Sequence, residues 1–114
     1  MCTFGCIYVR RPMEKVSAMR VMLKATLDTE KANEMIRSGK MSDLLKEALD
    51  RIKPEAAYFG PVGGRRTAFI VFDMQDSSEL PPVGEPFFTQ LNAEVEVCPI
   101  MNGEDLQKGL AQLR

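Results

Sequence analysis

Histidine is absent from this 114-residue chain. That removes the side chain most used for acid–base work near neutral pH and the commonest metal ligand. Haem held by a proximal histidine, Ser-His-Asp and Cys-His catalysis, and His-rich zinc sites are excluded together. Cysteine is scarce, with three residues, Cys2, Cys6 and Cys98. An odd number with no secretory signal speaks against a disulfide framework and for a reducing, cytoplasmic setting. Charge of one sign is also missing: 15 basic and 16 acidic side chains leave a net charge of −1. The basic residues are scattered, so no nucleic-acid partner and no anionic membrane surface is expected. Long apolar runs are lacking too. No segment approaches the roughly 18 residues needed to cross a bilayer.

What remains is ordinary for a globular protein, with 45% hydrophobic and 27% charged residues. One domain with a modest core fits this length. Residues 1–18 read as a flexible extension, because Gly5, Arg10, Arg11 and Pro12 break the apolar stretch around Ile7 and Val9. The order of charge and apolar residues there is wrong for a secretory signal. The domain proper is expected over 19–114. Cys2 and Cys6 lack partners for a metal site, and no metal or cofactor is expected.

The strongest strand signal is Thr67–Phe72, where Phe69, Ile70, Val71 and Phe72 are consecutive. A strand apolar on both faces needs cover on both. Ala56–Phe59 precedes it across a turn assigned to Gly60, Pro61, Gly63 and Gly64, which suits a tight hairpin. Upstream, Val21, Leu23, Ala25 and Leu27 alternate with Arg20, Met22, Lys24 and Thr26, a strand with one apolar face. Asp28 caps a helix that carries Ala32, Met35 and Ile36 inward and stops at Gly39. A second helix over Ser42–Lys53 presents Leu44, Leu45, Ala48, Leu49 and Ile52 as one stripe, and Pro54 ends it. After the hairpin, Pro81, Pro82 and Gly84 are expected to prevent one long helix. A turn near Ser78–Leu80 and a short helix opened by Pro86 are expected instead. Ala93–Cys98 alternates as a fourth strand, and Asn102 caps a final helix with Leu106, Leu110 and Leu113 in line.

Strand, helix, strand, strand, helix, strand and a terminal helix make an α+β, ferredoxin-like βαββαβ fold. It is an antiparallel sheet with helices on one face. The first and third strands belong in the centre. Glu55, Glu94, Glu96 and Pro99 belong to the edges, where charge and proline discourage further pairing. The uncovered face then carries Met22, Lys24, Thr26, Glu94, Glu96 and Cys98, with either Phe69 and Val71 or Ile70 and Phe72. Such a patch marks an interaction surface, and a homodimer packed face to face would bury it.

Lys53-Pro54-Glu55-Ala56, Gly63-Gly64-Arg65, Phe72-Asp73 and Glu94-Val95-Glu96-Val97-Cys98-Pro99-Ile100-Met101 complete the picture. On these motifs, from Met19 to about Leu110, the chain resembles small bacterial proteins of the dimeric α/β-barrel superfamily, in particular its uncharacterised branch. The resemblance implies a dimeric barrel whose cavity takes an apolar or aromatic molecule. The superfamily includes muconolactone isomerases, cofactor-independent monooxygenases and haem-binding members. Many active members use a cavity histidine, which this chain lacks, so no catalytic residue carries over.

Two functions stay open. One is a ligand-binding or assembly module without chemistry, with Lys24, Tyr58, Phe69 and Phe72 as candidate contacts for a small apolar ligand. The other is a cofactor-independent isomerase or monooxygenase using Glu94 or Glu96 as a base whose pKa burial raises. Against the second stands the commoner role of such residues, a cross-strand ion pair of Lys24 with Glu94 or Glu96 at a wet rim. Tyr58 is equally at home as a packing residue with its hydroxyl at the surface. Arg65 and Arg66 follow a glycine turn, but a strand rather than a helix comes next, so no phosphate cradle is expected. The eight methionines read as adaptable filler.

Overall fold

Val21, Leu23 and Ala25 are fully buried while Met22, Lys24 and Thr26 are half-exposed. That period of two makes β1 (Met19–Thr26) a strand with one face in the core. The computed structural model describes residues 18–113. The expected extension over 1–18, with Cys2 and Cys6, lies outside them apart from Ala18. Asp28 then accepts from the Lys31 amide at 2.9 Å and caps α1 (Thr29–Arg37). Gly39, at φ 78°, turns the chain into α2 (Met41–Ile52). α2 ends where Lys53 takes a left-handed conformation before Pro54.

β2 (Ala56–Val62) and β3 (Arg65–Met74) form a longer hairpin than expected. Only Gly63 and Gly64 make the turn, at φ 62° and 78°. Two consecutive positive φ values are the signature of the two-residue hairpin turn that matches strand twist. Gly60 and Pro61, expected in the turn, pair with Thr67 and Arg66 instead. Pro61 is tolerated because β2 is an edge strand, where a missing N–H need not break a ladder.

The second helical region departs further from expectation. After a 3-10 turn over Ser77–Glu79, α3 runs unbroken from Leu80 to Leu91. Pro81 and Pro82 fall in its first turn, where N–H groups have no intrahelical acceptor to lose. Pro86 sits inside the helix rather than opening it. The stripe Val83, Phe87 and Leu91, all buried at a spacing of four, holds the helix to the sheet despite the proline. β4 (Glu94–Pro99) follows, and α4 (Gly103–Ala111) opens with a reciprocal cap between Asn102 and Asp105.

The four strands form one antiparallel sheet in the order β2-β3-β1-β4. β1 and β3, the two most apolar strands, hold the centre. Helices α1, α2 and α3 cover one face, and Leu23, Ile70, Phe72, Phe87 and Leu91 are the largest buried side chains between the layers, with Val21. Ile36, expected inward on α1, is 47% exposed. No residue of α4 is buried, and Leu106 and Leu110 on it, with Leu113 just past its end, are all exposed. No helix among the described residues is long and apolar enough to cross a membrane.

Candidate functional site

Pleating sends alternate side chains to opposite faces, so register alone decides which residues share the uncovered face. Tyr58 pairs with Phe69, Phe69 with Lys24, and Lys24 with Glu96. These four side chains make one continuous rung across all four strands. The rung beside it is Ala56, Val71, Met22 and Cys98, and the one on the other side is Gly60, Thr67, Thr26 and Glu94. Among the described residues no helix covers this face.

The alternation left open in the sequence is now decided. Phe69 and Val71 point outward, and Ile70 and Phe72 point to the helices. Phe72 was a candidate ligand contact, but it is 2% exposed beneath the helical layer and is a core residue. Val21↔Phe72 and Leu23↔Ile70 pairing ties it to the buried side of β1. Lys24, Tyr58 and Phe69 do share one face. Tyr58 is 66% exposed, a large aromatic ring with its hydroxyl in water. Met22 and Val71 join them as apolar neighbours that were not singled out as contacts. Strict alternation from Lys24 and Phe69 was the signal that placed them.

Charge on this face is balanced, with Glu94 and Glu96 on the edge strand and Lys24 on a central one. Arg65 meets Glu94 at 3.5 Å and also donates from Nε to the Leu27 carbonyl at 3.3 Å. Lys24 lies opposite Glu96, yet no ion pair joins them among the described residues. Lys24 is half-buried on a rung where its register partner on the other side is Phe69. Thr67 is buried and donates from Oγ1 to the Arg65 carbonyl at 3.1 Å. Both glutamates are exposed, so the chain alone does not supply the dry surroundings that a carboxylate base requires.

At the far end, Arg20 donates from Nε to Glu55 at 2.8 Å and from a terminal nitrogen to Asp105 at 3.5 Å. The hydrogen bond and the charge of Glu55 raise its already high pKa, with smaller help from Asp105 and Asp73. This cluster joins β1, the approach to β2 and the first turn of α4. It fixes position and offers no titration in the physiological range.

No group of three or more acidic, histidine or cysteine side chains among the described residues is placed to hold a metal ion. Cys98 is a free, exposed thiol at the margin of the face. Comparison with protein-family models finds no match, and comparison with curated proteins and with solved structures finds none either. The geometry of the uncovered face therefore carries the functional reading.

Proposed function

We propose that this protein is a ferredoxin-like domain of the dimeric α/β-barrel type, homodimeric through its uncovered sheet face, serving as a binding or assembly module. The strand order β2-β3-β1-β4, antiparallel throughout, supports the ferredoxin-like assignment. One observation carries the dimer: the apolar centre of the face, Met22, Phe69 and Val71 flanked by exposed Tyr58, is covered by no helix among the described residues. A sheet solvated on one side normally alternates apolar-in with polar-out, and here Met22, Phe69, Val71 and Tyr58 are apolar or aromatic residues among the polar ones that point outward. A two-fold interface must be self-complementary. Lys24 and Arg65 with Glu94 and Glu96 give the patch equal numbers of each sign, so a second copy meets charges it can pair. The exposed thiol of Cys98 suits a reducing, cytoplasmic setting.

Size-exclusion chromatography with light scattering is expected to return twice the 12.8 kDa chain mass at micromolar concentration. Phe69→Glu, placed in the middle of the patch, is expected to give a folded monomer with unchanged far-ultraviolet circular dichroism. A wild-type monomer would refute the proposal.

A second reading, a cofactor-independent isomerase or monooxygenase for a small apolar or aromatic substrate, has one observation in its favour. Lys24 and Glu96 are register partners on the surface that a second sheet would close over. Enclosure there would supply the desolvation a glutamate base needs. A crystal structure of the dimer separates the two readings: an enclosed cavity with Glu94 or Glu96 facing into it supports the enzyme, and a filled interface supports the module.

A further inference from the structure

On the opposite side of the sheet, the helices leave part of β2 uncovered. Its inward-facing Phe59 is left 54% exposed, as is Ile36 of α1 at 47%. Together with Met41, Leu45 and Phe87 they wall a cleft of about 420 Å³. That volume falls within the roughly 300–1,000 Å³ usual for small-molecule sites, which are mostly apolar with a few polar groups. Arg66 is the one charged residue among those described that line it. Register puts Arg66 opposite Pro61, on the helix side, whereas Arg65 faces the other way. The two arginines also differ in their partners. Arg65 is engaged by Glu94 and by the Leu27 carbonyl, while the Arg66 guanidinium has no carboxylate and no hydrogen-bond acceptor among the described residues. The Arg66 backbone is fixed, its carbonyl accepting from the Leu27 amide at 2.9 Å. An apolar hollow with one unengaged cation at its rim is complementary to an apolar molecule with one anionic end.

We propose that this cleft binds a small amphipathic carboxylate, of the fatty-acid or arylalkanoate class. The tail lies along Phe59, Ile36 and Leu45, and the carboxylate pairs with the Arg66 guanidinium. A planar guanidinium offers paired N–H donors that match a carboxylate. Because the cleft and the uncovered face lie on opposite sides of the sheet, this site does not depend on dimerisation.

Calorimetric titration of the full chain with decanoate and with decanol, both below micellar concentration, tests the proposal. Decanoate is expected to bind saturably, one per chain, and decanol about tenfold more weakly. Arg66→Gln is expected to weaken decanoate about tenfold and leave decanol unchanged. Amide shifts on adding decanoate are expected at Ile36, Leu45 and Phe59. Absence of saturable binding, equal affinity for acid and alcohol in wild type, or shifts centred on Met22 and Phe69 would overturn the proposal. So would nuclear Overhauser contacts from Phe4 or Ile7 to Phe59 in the unliganded chain, since the chain's own N-terminal segment would then be the occupant. Cleft shifts that appear only on concentration would overturn it too, by making a second copy the occupant.

Discussion

Single side chains on this molecule show how far local chemistry reaches. Asp76 accepts from both the Ser78 amide and its hydroxyl, and these hydrogen bonds hold its carboxyl below the usual value of 3.8. A depressed carboxyl pKa stabilises the folded turn at pH above the unfolded value and loses that contribution as pH falls through the folded one. The cap over Ser77–Glu79 is therefore expected to persist at neutral pH and loosen only in strong acid. An NMR titration of Asp76 should show a midpoint below 3.8 in wild type, moving upward in Ser78→Ala. Lys24→Met removes a lysine with no ion-pair partner among the described residues, so denaturant melts of monomeric material should change by no more than about 1 kcal/mol. Residue-scale features were the most legible in the sequence. Asp28 and Asn102 cap the helices assigned to them, because a cap needs only its own next three residues. Phe72 was not legible, since Phe69-Ile70-Val71-Phe72 is apolar in both phases. Only pairing with Val21 decides which phase faces the helices.

Whole elements were legible where pattern and punctuation agreed and misread where they conflicted. Alternation in β1 and the stripe of α2 each point one way, and their boundaries fell within a residue of expectation. In α3 the prolines argue against a helix, while Val83, Phe87 and Leu91 argue for one; packing outweighed propensity. A proline inside the helix still costs a hydrogen bond to the Pro82 carbonyl. Pro86→Ala is thus expected to raise stability by about 1–3 kcal/mol in denaturant melts. In the hairpin, glycine content misled, because four turn formers sit together but only two have positive φ. Gly64→Ala would force an L-residue into the left-handed region and is expected to cost about 1–2 kcal/mol. Gly60→Ala, where an added Cβ meets nothing within 4 Å and φ is not positive, is expected to be neutral or slightly stabilising. The Arg66 cleft could not be read from any one element. Its walls come from α1, α2, α3, β2 and β3, which only packing brings together.

At the scale of the whole molecule, the order of strands in the sheet differs from their order along the chain. β1 comes first, yet it forms hydrogen bonds only to β3 and β4, and β4 is the last strand made. β2 and β3, by contrast, are joined by two residues and close locally. Contacts between distant segments make folding slow, because loop closure precedes the gain from pairing. The hairpin and its packing against β1 are therefore expected to form the nucleus, with β4 docking late. In stopped-flow kinetics Ile70→Val should slow folding, whereas Val97→Ala should chiefly accelerate unfolding. During synthesis the chain emerges N-terminus first, so β1 leaves the ribosome long before the residues that flank it. A nascent chain halted at Leu91 would hold β1 as a bare edge, its Leu23 and Ala25 lacking the cover of Val97 and Val95. Such arrested chains should be bound by chaperones until Pro99 has emerged, and release should coincide with the pairing of Val21 to that residue.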